Sequence, residues 1–438
     1  MARFARPLQY LGIVIAVFGL GKFHAVRHEY DFTGSTRFGW SFAFVVLLAV
    51  SSYAVGLPEL LRSRRAAWTA SLTACAAAAL GISIAQLVTN SVLLPRLVVF
   101  GAAVVLAPWF VLCATLARHA RSRAEDRERL LFIGRSDEGH LLRDELEHDP
   151  ELPAQLVAVL SCADARSTGD GLPLVAAASA SHATLLVLDR EAQADEHIVA
   201  QAALLHERGA RVRTVSLFYE QWLGKLPIAE LERVSLMFDI GEIHRDSYSR
   251  VKRLIDIVLA LVCLPVLAVA LPVVALANRA GNRGSLFFRQ SRVGKSGREF
   301  TIWKFRTMRE LPGAMTPWTA DDDPRITSVG RFLRSTHLDE LPQLVNVLKG
   351  DLSIVGPRPE QPSYVLELID KIPFYDLRHL VRPGMTGWRQ VKFGYAGSEA
   401  EALEGLQYDF FYLRRQSLVF DLRIIGRTIR SVVRRQGR

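Results

Sequence analysis

Four apolar runs, about Leu8 to Phe23, Phe38 to Leu57, Ala66 to Val88 and Leu97 to Leu116, fill the first part of the chain. Each is close to the ~20 residues that cross a bilayer as a helix, so the pattern predicts four transmembrane helices within residues 1–120. Arg3 and Arg6, then Arg62, Arg64 and Arg65, then Arg118, Arg121 and Arg123 flank alternate ends of these runs. Positively charged flanks stay on the cytoplasmic side, which places the N-terminus and everything after Leu116 there, although Lys22, Arg27 and Arg37 in the first outer loop reduce the contrast. No small-residue cleavage site follows the first run, so a retained helix is expected rather than a removed signal peptide.

Over residues 121–248 the pattern shortens to β-rich runs separated by amphipathic stretches. The runs are RLLFIG (Arg129 to Gly134), LVAVLS (Leu156 to Ser161), TLLVLD (Thr184 to Asp189) and RVRTVSLF (Arg211 to Phe218); helical periodicity returns between them, as from His197 to Glu207. This alternation predicts a small parallel α/β domain, Rossmann-like in outline. Gly134 and Gly139 follow the first strand without GxGxxG spacing, which favours a structural or regulatory domain over a nucleotide site.

A fifth apolar segment, residues 254–277, has Asp256 as its only charge. Lys252 and Arg253 precede it and Arg279 and Arg283 follow it, so both ends read as cytoplasmic, while Pro265 and Pro272 interrupt its helical hydrogen bonding. A re-entrant helix that enters the inner leaflet, breaks near a proline and returns meets both observations. A proline-kinked spanning helix is the competing reading.

Composition narrows the partners. The 438 residues are 50% hydrophobic and carry a net charge of +10. Most of the excess lies beside apolar segments or in the C-terminal region, where anionic headgroups and phosphorylated substrates are better partners than nucleic acid. The four cysteines are scattered and three lie in apolar segments, so neither a metal cluster nor a disulfide framework is indicated.

Candidate chemistry is concentrated after residue 285. From Arg289 to Arg309 seven basic residues, Lys304 and Arg306 among them, stand against one acid, Glu299. Gly294 and Gly297 allow a tight turn whose amides reach a phosphate; a solvated basic face beside the membrane explains the same charges. Asp339 and Glu340 precede Pro342, a residue favoured in a first helical turn, where the helix dipole favours ionised acids and attracts phosphate. Charge complementarity alone accounts for an isolated acidic pair. Here, however, Arg325, Arg331 and Arg334 lie upstream, and GPRP (Gly356 to Pro359) mounts Arg358 rigidly between prolines, ready to fork onto phosphate oxygens. Carboxylates beside several arginines suit a divalent metal with a polyanionic substrate. RPGMTGW (Arg382 to Trp388) reads as a tight turn with an anchoring aromatic. Leu418, Leu422, Ile425, Ile429 and Val432 recur at helical spacing in a tail with eight arginines from Arg414 onward and one acid, Asp421. That pattern fits a basic helix in the membrane interface and equally a core-packing helix.

With KRLIDIVLAL at Lys252, FFRQSRVGKSGREFTIWKFRTM at Phe287, DPRITSVGRFLR at Asp323, LDELPQLVNVLKGDLSIVGPRPE at Leu338 and RPGMTGW at Arg382, the chain resembles the bacterial polyprenyl-phosphate phosphoglycosyltransferases, the monotopic sugar transferase family, in its large form. The resemblance covers nearly the whole chain. It implies a mainly α-helical catalytic domain over residues 249–438 at the membrane interface, entered by the re-entrant helix 254–277. It further implies that Asp339 attacks the β-phosphate of a UDP-sugar, releases UMP and forms a covalent phosphosugar intermediate that undecaprenyl phosphate then displaces. Glu340 would coordinate Mg²⁺. Lys304 and Arg358 fall in motifs that the resemblance associates with substrate, and Arg306, Arg325 and Arg334 join them as candidate phosphate contacts. Where the family usually has a Ser-Pro break in the re-entrant helix, this chain has Ala268 and Val269, which leaves Pro265 and Pro272 as the break candidates. The implied setting is the cytoplasmic face of the bacterial inner membrane, at the start of an exopolysaccharide, capsule or O-antigen repeat unit, with membrane lipid as a partner and a homodimer as in relatives. A non-enzymatic membrane scaffold or ligand-sensing regulator is the competing class.

Overall fold

The computed structural model describes residues 2–58, 63–148, 150–166, 171–228, 246–281, 285–309, 323, 325–394 and 398–433; Arg62, Arg283, Pro324 and the tail arginines 434, 435 and 438 lie outside them. Residues 1–127 form one compact unit and residues 128–438 a second.

The first unit consists of α1 (Ala2–Arg27), α2 (Thr36–Ala54), α3 (Arg64–Thr89) and α4 (Arg96–Arg127), and each contains one of the four apolar runs. Ala74, Ala78 and Ala102 let the helices approach closely around Ile13, Phe44 and Phe110. Gly12 serves the same end, since a Cβ there would overlap the Trp109 indole, whose Nε1 donates to Leu8 O at 3.3 Å. Leu11, Ile15, Leu80, Leu87 and Val104 point outward and are more than half exposed, the outer surface expected of helices solvated by lipid. Among the described residues, five helices are long and apolar enough to cross a membrane, the fifth lying in the second unit.

The second unit begins with a four-stranded parallel sheet, β1 (Arg129–Ile133), β2 (Gln155–Leu160), β3 (Leu185–Leu188) and β4 (Arg211–Thr214), in the order β2-β1-β3-β4. Successive residues of β1 serve opposite faces. Leu131 and Ile133 pack with α6 (Pro173–Ala180) and α7 (Glu196–Glu207), while Leu130 and Phe132 pack with α5 (Ser136–His148), Phe218 and Trp222. Burial on both faces is why the runs of β1 and β3 are continuously apolar rather than alternating. The run RVRTVSLF is a strand only as far as Thr214, because the Thr214 hydroxyl accepts from Leu217 N at 3.3 Å and caps a helical turn over Val215–Phe218.

After the sheet comes α8 (Asp246–Gly281), helical throughout with both prolines inside it. Ala260, Leu267 and Val274 are buried against one core with Ile302, Phe305, Leu333, Leu344 and Val347. Asp256, one turn earlier on the same stripe, accepts from Ser353 Oγ and Ile354 N, both at 3.0 Å. Leu254, Val262, Val266, Val269, Val273 and Leu276 form the opposite, exposed face. Pro265 and Pro272 also lie on the exposed side.

The antiparallel hairpin β5 (Phe287–Val293) and β6 (Glu299–Phe305) follows. Its turn consumes the two glycines: Gly294 N donates to Arg298 O at 2.7 Å and Gly297 N to Gly294 O at 3.2 Å. Those amides are therefore spent within the hairpin, and the tight turn read from the sequence closes strands rather than cradling a phosphate. The remainder is α9 (Ser328–Ser335), a 3₁₀ segment (Leu338–Gln343), α10 (Leu344–Lys349), β7 (Ser353–Val355), α11 (Pro362–Lys371), β8 (Gly384–Thr386), α12 (Trp388–Lys392), α13 (Glu399–Arg414) and α14 (Leu418–Val433). RPGMTGW, read as a turn, instead contains β8, which pairs in parallel with β7. In α14 it is Phe420 and Ile424 that enter the core, while Leu422 of the anticipated stripe is 63% exposed.

β7 and β8 meet through bare backbone. Gly356 N donates to Thr386 O at 2.8 Å and Gly384 N to Pro357 O at 2.9 Å, and a Cβ on Gly384 would overlap the Gly356 backbone. Gly384→Ala is expected to cost about 1–3 kcal/mol, as overpacking does elsewhere, and to lower the melting temperature of the detergent-purified chain.

Candidate active site

Asp339 and Glu340 lie in the 3₁₀ segment that leads into α10 and are 8% and 9% exposed. His337 precedes them in the left-handed region, with φ of 55° and ψ of 16°. This reversal lets Glu340 N donate back to His337 O at 3.2 Å and turns both carboxyls into the protein. Lys304, on β6, donates from Nζ to Glu340 Oε1 at 2.7 Å, and Arg358 Nη1 lies 3.5 Å from the same oxygen. The two cations come from elements distant in sequence, one on the hairpin and one on the proline-flanked loop after β7.

The neighbouring carboxyls behave oppositely. Burial raises the Asp339 pKa, and the Glu340 charge raises it further, against the pull of Lys304, Arg334 and Arg358. Burial also disfavours the Glu340 charge, but Lys304 and Arg358 overcome it and hold that carboxyl below the ordinary glutamate range. Burial, with Arg358 and Lys304 close by, keeps His337 below the usual imidazole range against the opposite pull of Glu340.

Of the residues singled out in the sequence, the structure brings Asp339, Glu340, Lys304 and Arg358 together, with Arg334 close enough to act on the Asp339 charge. Arg325 is instead forked onto Asp323, with Nε at 2.9 Å from Oδ1 and Nη2 at 2.5 Å from Oδ2. Arg306 reaches Ser285 Oγ at 2.5 Å. Pro265 and Pro272 belong to the outer face of α8.

A second layer of buried charge was not read from the sequence. Arg378, 2% exposed, donates to Arg358 O at 2.9 Å and to Tyr375 OH at 2.7 Å, and pairs with Asp409 at 2.9 Å. Arg292 donates to Pro359 O at 3.2 Å. Glu360 is held ionised against its burial by Arg378, Arg389, Arg358 and Arg292. The one sequence signal for this layer was Glu360 itself, an acid directly after GPRP; nothing in DLRHL marked Arg378.

In the parallel sheet, the turn after β1 is filled from within. Asp189 Oδ2 accepts from Arg135 N at 3.2 Å, Oδ1 accepts from Ala192 N at 2.7 Å, and a Cβ on Gly134 would overlap the Asp189 carboxylate. An acidic side chain from the end of β3 thus takes an amide of the turn where dinucleotide-binding turns offer amides to phosphate.

Asp339, Glu340, Lys304 and Arg358 all fall within one segment that a known family matches. A profile described as bacterial sugar transferase matches residues 247–435. The chain belongs to this family. It is 37% identical over 241 residues to the UDP-N-acetylgalactosamine-undecaprenyl-phosphate N-acetylgalactosaminephosphotransferase of Aeromonas hydrophila, a match covering 54% of this chain and 55% of the relative. It is 42% identical over 183 residues to the UDP-glucose:undecaprenyl-phosphate glucose-1-phosphate transferase of Escherichia coli, covering 41% of this chain and 39% of the relative. A protein of the same name from Caulobacter vibrioides is 39% identical over 196 residues, which are 44% of this chain and 73% of the relative. The chain therefore spans about half or less of the first two relatives.

The raised pKa of Asp339 has a stability consequence. A carboxyl whose folded pKa lies above its unfolded value destabilises the folded state at neutral pH, and the penalty fades as pH falls through the folded value. Asp339→Asn is thus expected to stabilise the protein at pH 7 by about 1–3 kcal/mol, an advantage that shrinks on acidification; thermal unfolding at pH 7 and pH 5 checks both.

Proposed function

We propose that this chain transfers a sugar-1-phosphate from a UDP-sugar to undecaprenyl phosphate and releases UMP. The single observation that carries the reading is the divergence of two adjacent buried carboxyls inside the family-matched segment, one paired and held charged, the other without a cation of the described residues at hydrogen-bonding distance and strained in its charged form. Environments that push neighbouring acids apart assign them different roles.

Asp339 is the nucleophile. Its carboxylate oxygen attacks the β-phosphorus of the UDP-sugar, the bond from that phosphorus to the bridging oxygen breaks, and UMP leaves with the bridging oxygen. The resulting acyl phosphate carries the sugar-1-phosphoryl group. A phosphate oxygen of undecaprenyl phosphate then attacks the same phosphorus, the acyl-phosphate bond breaks, and Asp339 is restored as carboxylate while the sugar leaves on a lipid diphosphate. Burial makes the Asp339 charge a poorly stabilised and hence reactive one, and division into two displacements replaces one encounter of two anions by two assisted steps. Lys304, Arg358 and Arg334 offset charge on the phosphoryl oxygens. Arg306 and Arg325, held by Ser285 and Asp323, serve as contacts for more distant parts of the donor.

Among the described residues, Glu340 pairs with the cations Lys304 and Arg358, and both lie against Oε1. Its Oε2, with Asp339 alongside, is an all-oxygen donor set that suits Mg²⁺ shared with substrate phosphates. When bound, the ion supplies Lewis-acid neutralisation of the diphosphate.

The packing of α8 supports membrane entry without crossing. The stretch from Asp256 to Val274 is about 27 Å long at 1.5 Å per residue, close to a full hydrocarbon core, yet one stripe of it packs on a single core over that length. We therefore place α8 as the re-entrant element, with Pro265 and Pro272 on its outer face as the positions where it would break on entering the membrane, with α1–α4 spanning the inner membrane and the second unit on the cytoplasmic face. The product would start an exopolysaccharide, capsule or O-antigen repeat unit.

Membranes containing the chain, given UDP-sugar labelled in the β-phosphate, should release UMP and retain label in lipid. Asp339→Asn should lower both by at least about 10³-fold, as loss of an essential nucleophile does; UDP as the product, or no nucleotide product at all, would overturn the reading in favour of a glycosyltransferase or a scaffold. Because protonated Asp339 is not nucleophilic, kcat/KM should fall on acidification at a pH above that expected for an ordinary aspartate. A pH profile of UMP release from pH 4 to 8 locates that limb.

A further inference from the structure

The α/β layer is joined to the helical part by buried charge. Glu151, just before β2, is 8% exposed at its side chain and pairs with Lys392 at 3.0 Å, Arg427 at 2.9 Å and Arg423. Such a carboxylate, cut off from water, holds its place only while its cations do, because an unpaired buried charge costs several kcal/mol. Beside it, Gly224, in the left-handed region at φ of 70°, accepts from the Trp388 indole Nε1 at 2.7 Å. A Cβ at Gly224 would lie 3.0 Å from Glu151 Cγ and 3.1 Å from Trp388 Cζ2, so carboxylate, turn and indole are packed as one body. The Arg427 guanidinium covers the Trp388 ring at 4.7 Å.

Trp388 opens α12 two residues after β8, and β8 is the strand whose Thr386 O and Gly384 N hold Gly356 N and Pro357 O. Arg358 is the next residue. The path from the α/β layer to the guanidinium at Glu340 thus passes through one indole, one three-residue strand and two backbone hydrogen bonds, with no flexible side chain before Arg358 itself.

We propose that the α/β layer is a fixed part of the transfer site: Glu151 and Gly224 seat Trp388, and Trp388, through β8, sets the loop that aims Arg358. Glu151 and Trp388 are positioning residues. The device belongs to this chain rather than to the family's shared part. Glu151 and Gly224 lie outside residues 247–435, the part that the family profile matches.

The kinetic arm of the test rests on the proposed transfer reaction; a structural arm does not. Trp388→Phe keeps an aromatic ring against Phe411 and Phe420 but removes the N–H, and Glu151→Gln keeps shape but removes the charge. In the full chain in nanodiscs, both should raise amide hydrogen exchange at Gly356 and Gly384 at least fivefold and lower kcat for UMP release by about five- to tenfold, with KM for the UDP-sugar changed less than twofold. Trp388→Phe combined with Arg358→Lys should lose no more than Arg358→Lys alone. Arg135→Ala, at an exposed pair with Asp137 in the same layer, serves as the control expected to change neither readout. Unchanged exchange at Gly356 and Gly384 in both variants, or strict additivity with Arg358→Lys, would overturn the proposal. If the unaltered chain releases no UMP, the transfer reading fails while the exchange arm still decides the coupling.

Discussion

A negative charge enclosed in protein must be met by positive charge, and the ion pairs of Glu340 with Lys304 and Arg358 are where this protein meets that requirement at its centre. The hairpin must lie where Lys304 reaches Glu340 Oε1, and the proline-flanked loop where Arg358 does. Behind the loop, Arg378 grips the Arg358 carbonyl and is itself neutralised by Asp409, while Glu360 balances the arginines around it. Each layer of charge thus requires the next, and the helical part is organised outward from that pair. Asp339 is the exception, enclosed beside Glu340 and poorly stabilised when ionised. Under the proposed mechanism that strain is the feature a nucleophilic carboxylate needs, with stability given up for it.

Much of this was legible in the chain, for identifiable reasons. Long apolar runs and continuously apolar strands leave a strong local signal, so helices α1 to α4 and strands β1 to β3 stand close to where periodicity places them. The acidic pair, Lys304 and Arg358 are also readable, because each lies in a motif of unusual residues. Side-chain destinations are not local, however. Arg325 and Arg358 look alike in sequence, yet one is forked onto a neighbour two residues away and the other spans to a carboxylate 18 positions back. Arg378 and Glu151 carried no signal at all, since their partners come from remote elements. The turn at Gly134 shows the same limit: its Arg135 amide is taken by Asp189, contributed by a different strand end.

Glycines illustrate how one residue type serves different ends. At Gly294 and Gly297 they fold a hairpin, at Gly356 and Gly384 they let two strands meet without side chains, and at Gly224 a left-handed turn offers its carbonyl to an indole. Only the first of these uses is visible from the spacing of glycines, because the other two depend on what approaches from elsewhere.

Helix α8 carries a mechanical consequence. One side is riveted to the core that holds Lys304 and Glu340, through Asp256 at one end and Val274 near the other, while the far side presents only aliphatic surface. Whatever medium grips that aliphatic side is held at a fixed distance from Asp339 and Glu340. In the proposed membrane setting, the height of the carboxyl pair above the lipid is then set by how deep one helix floats.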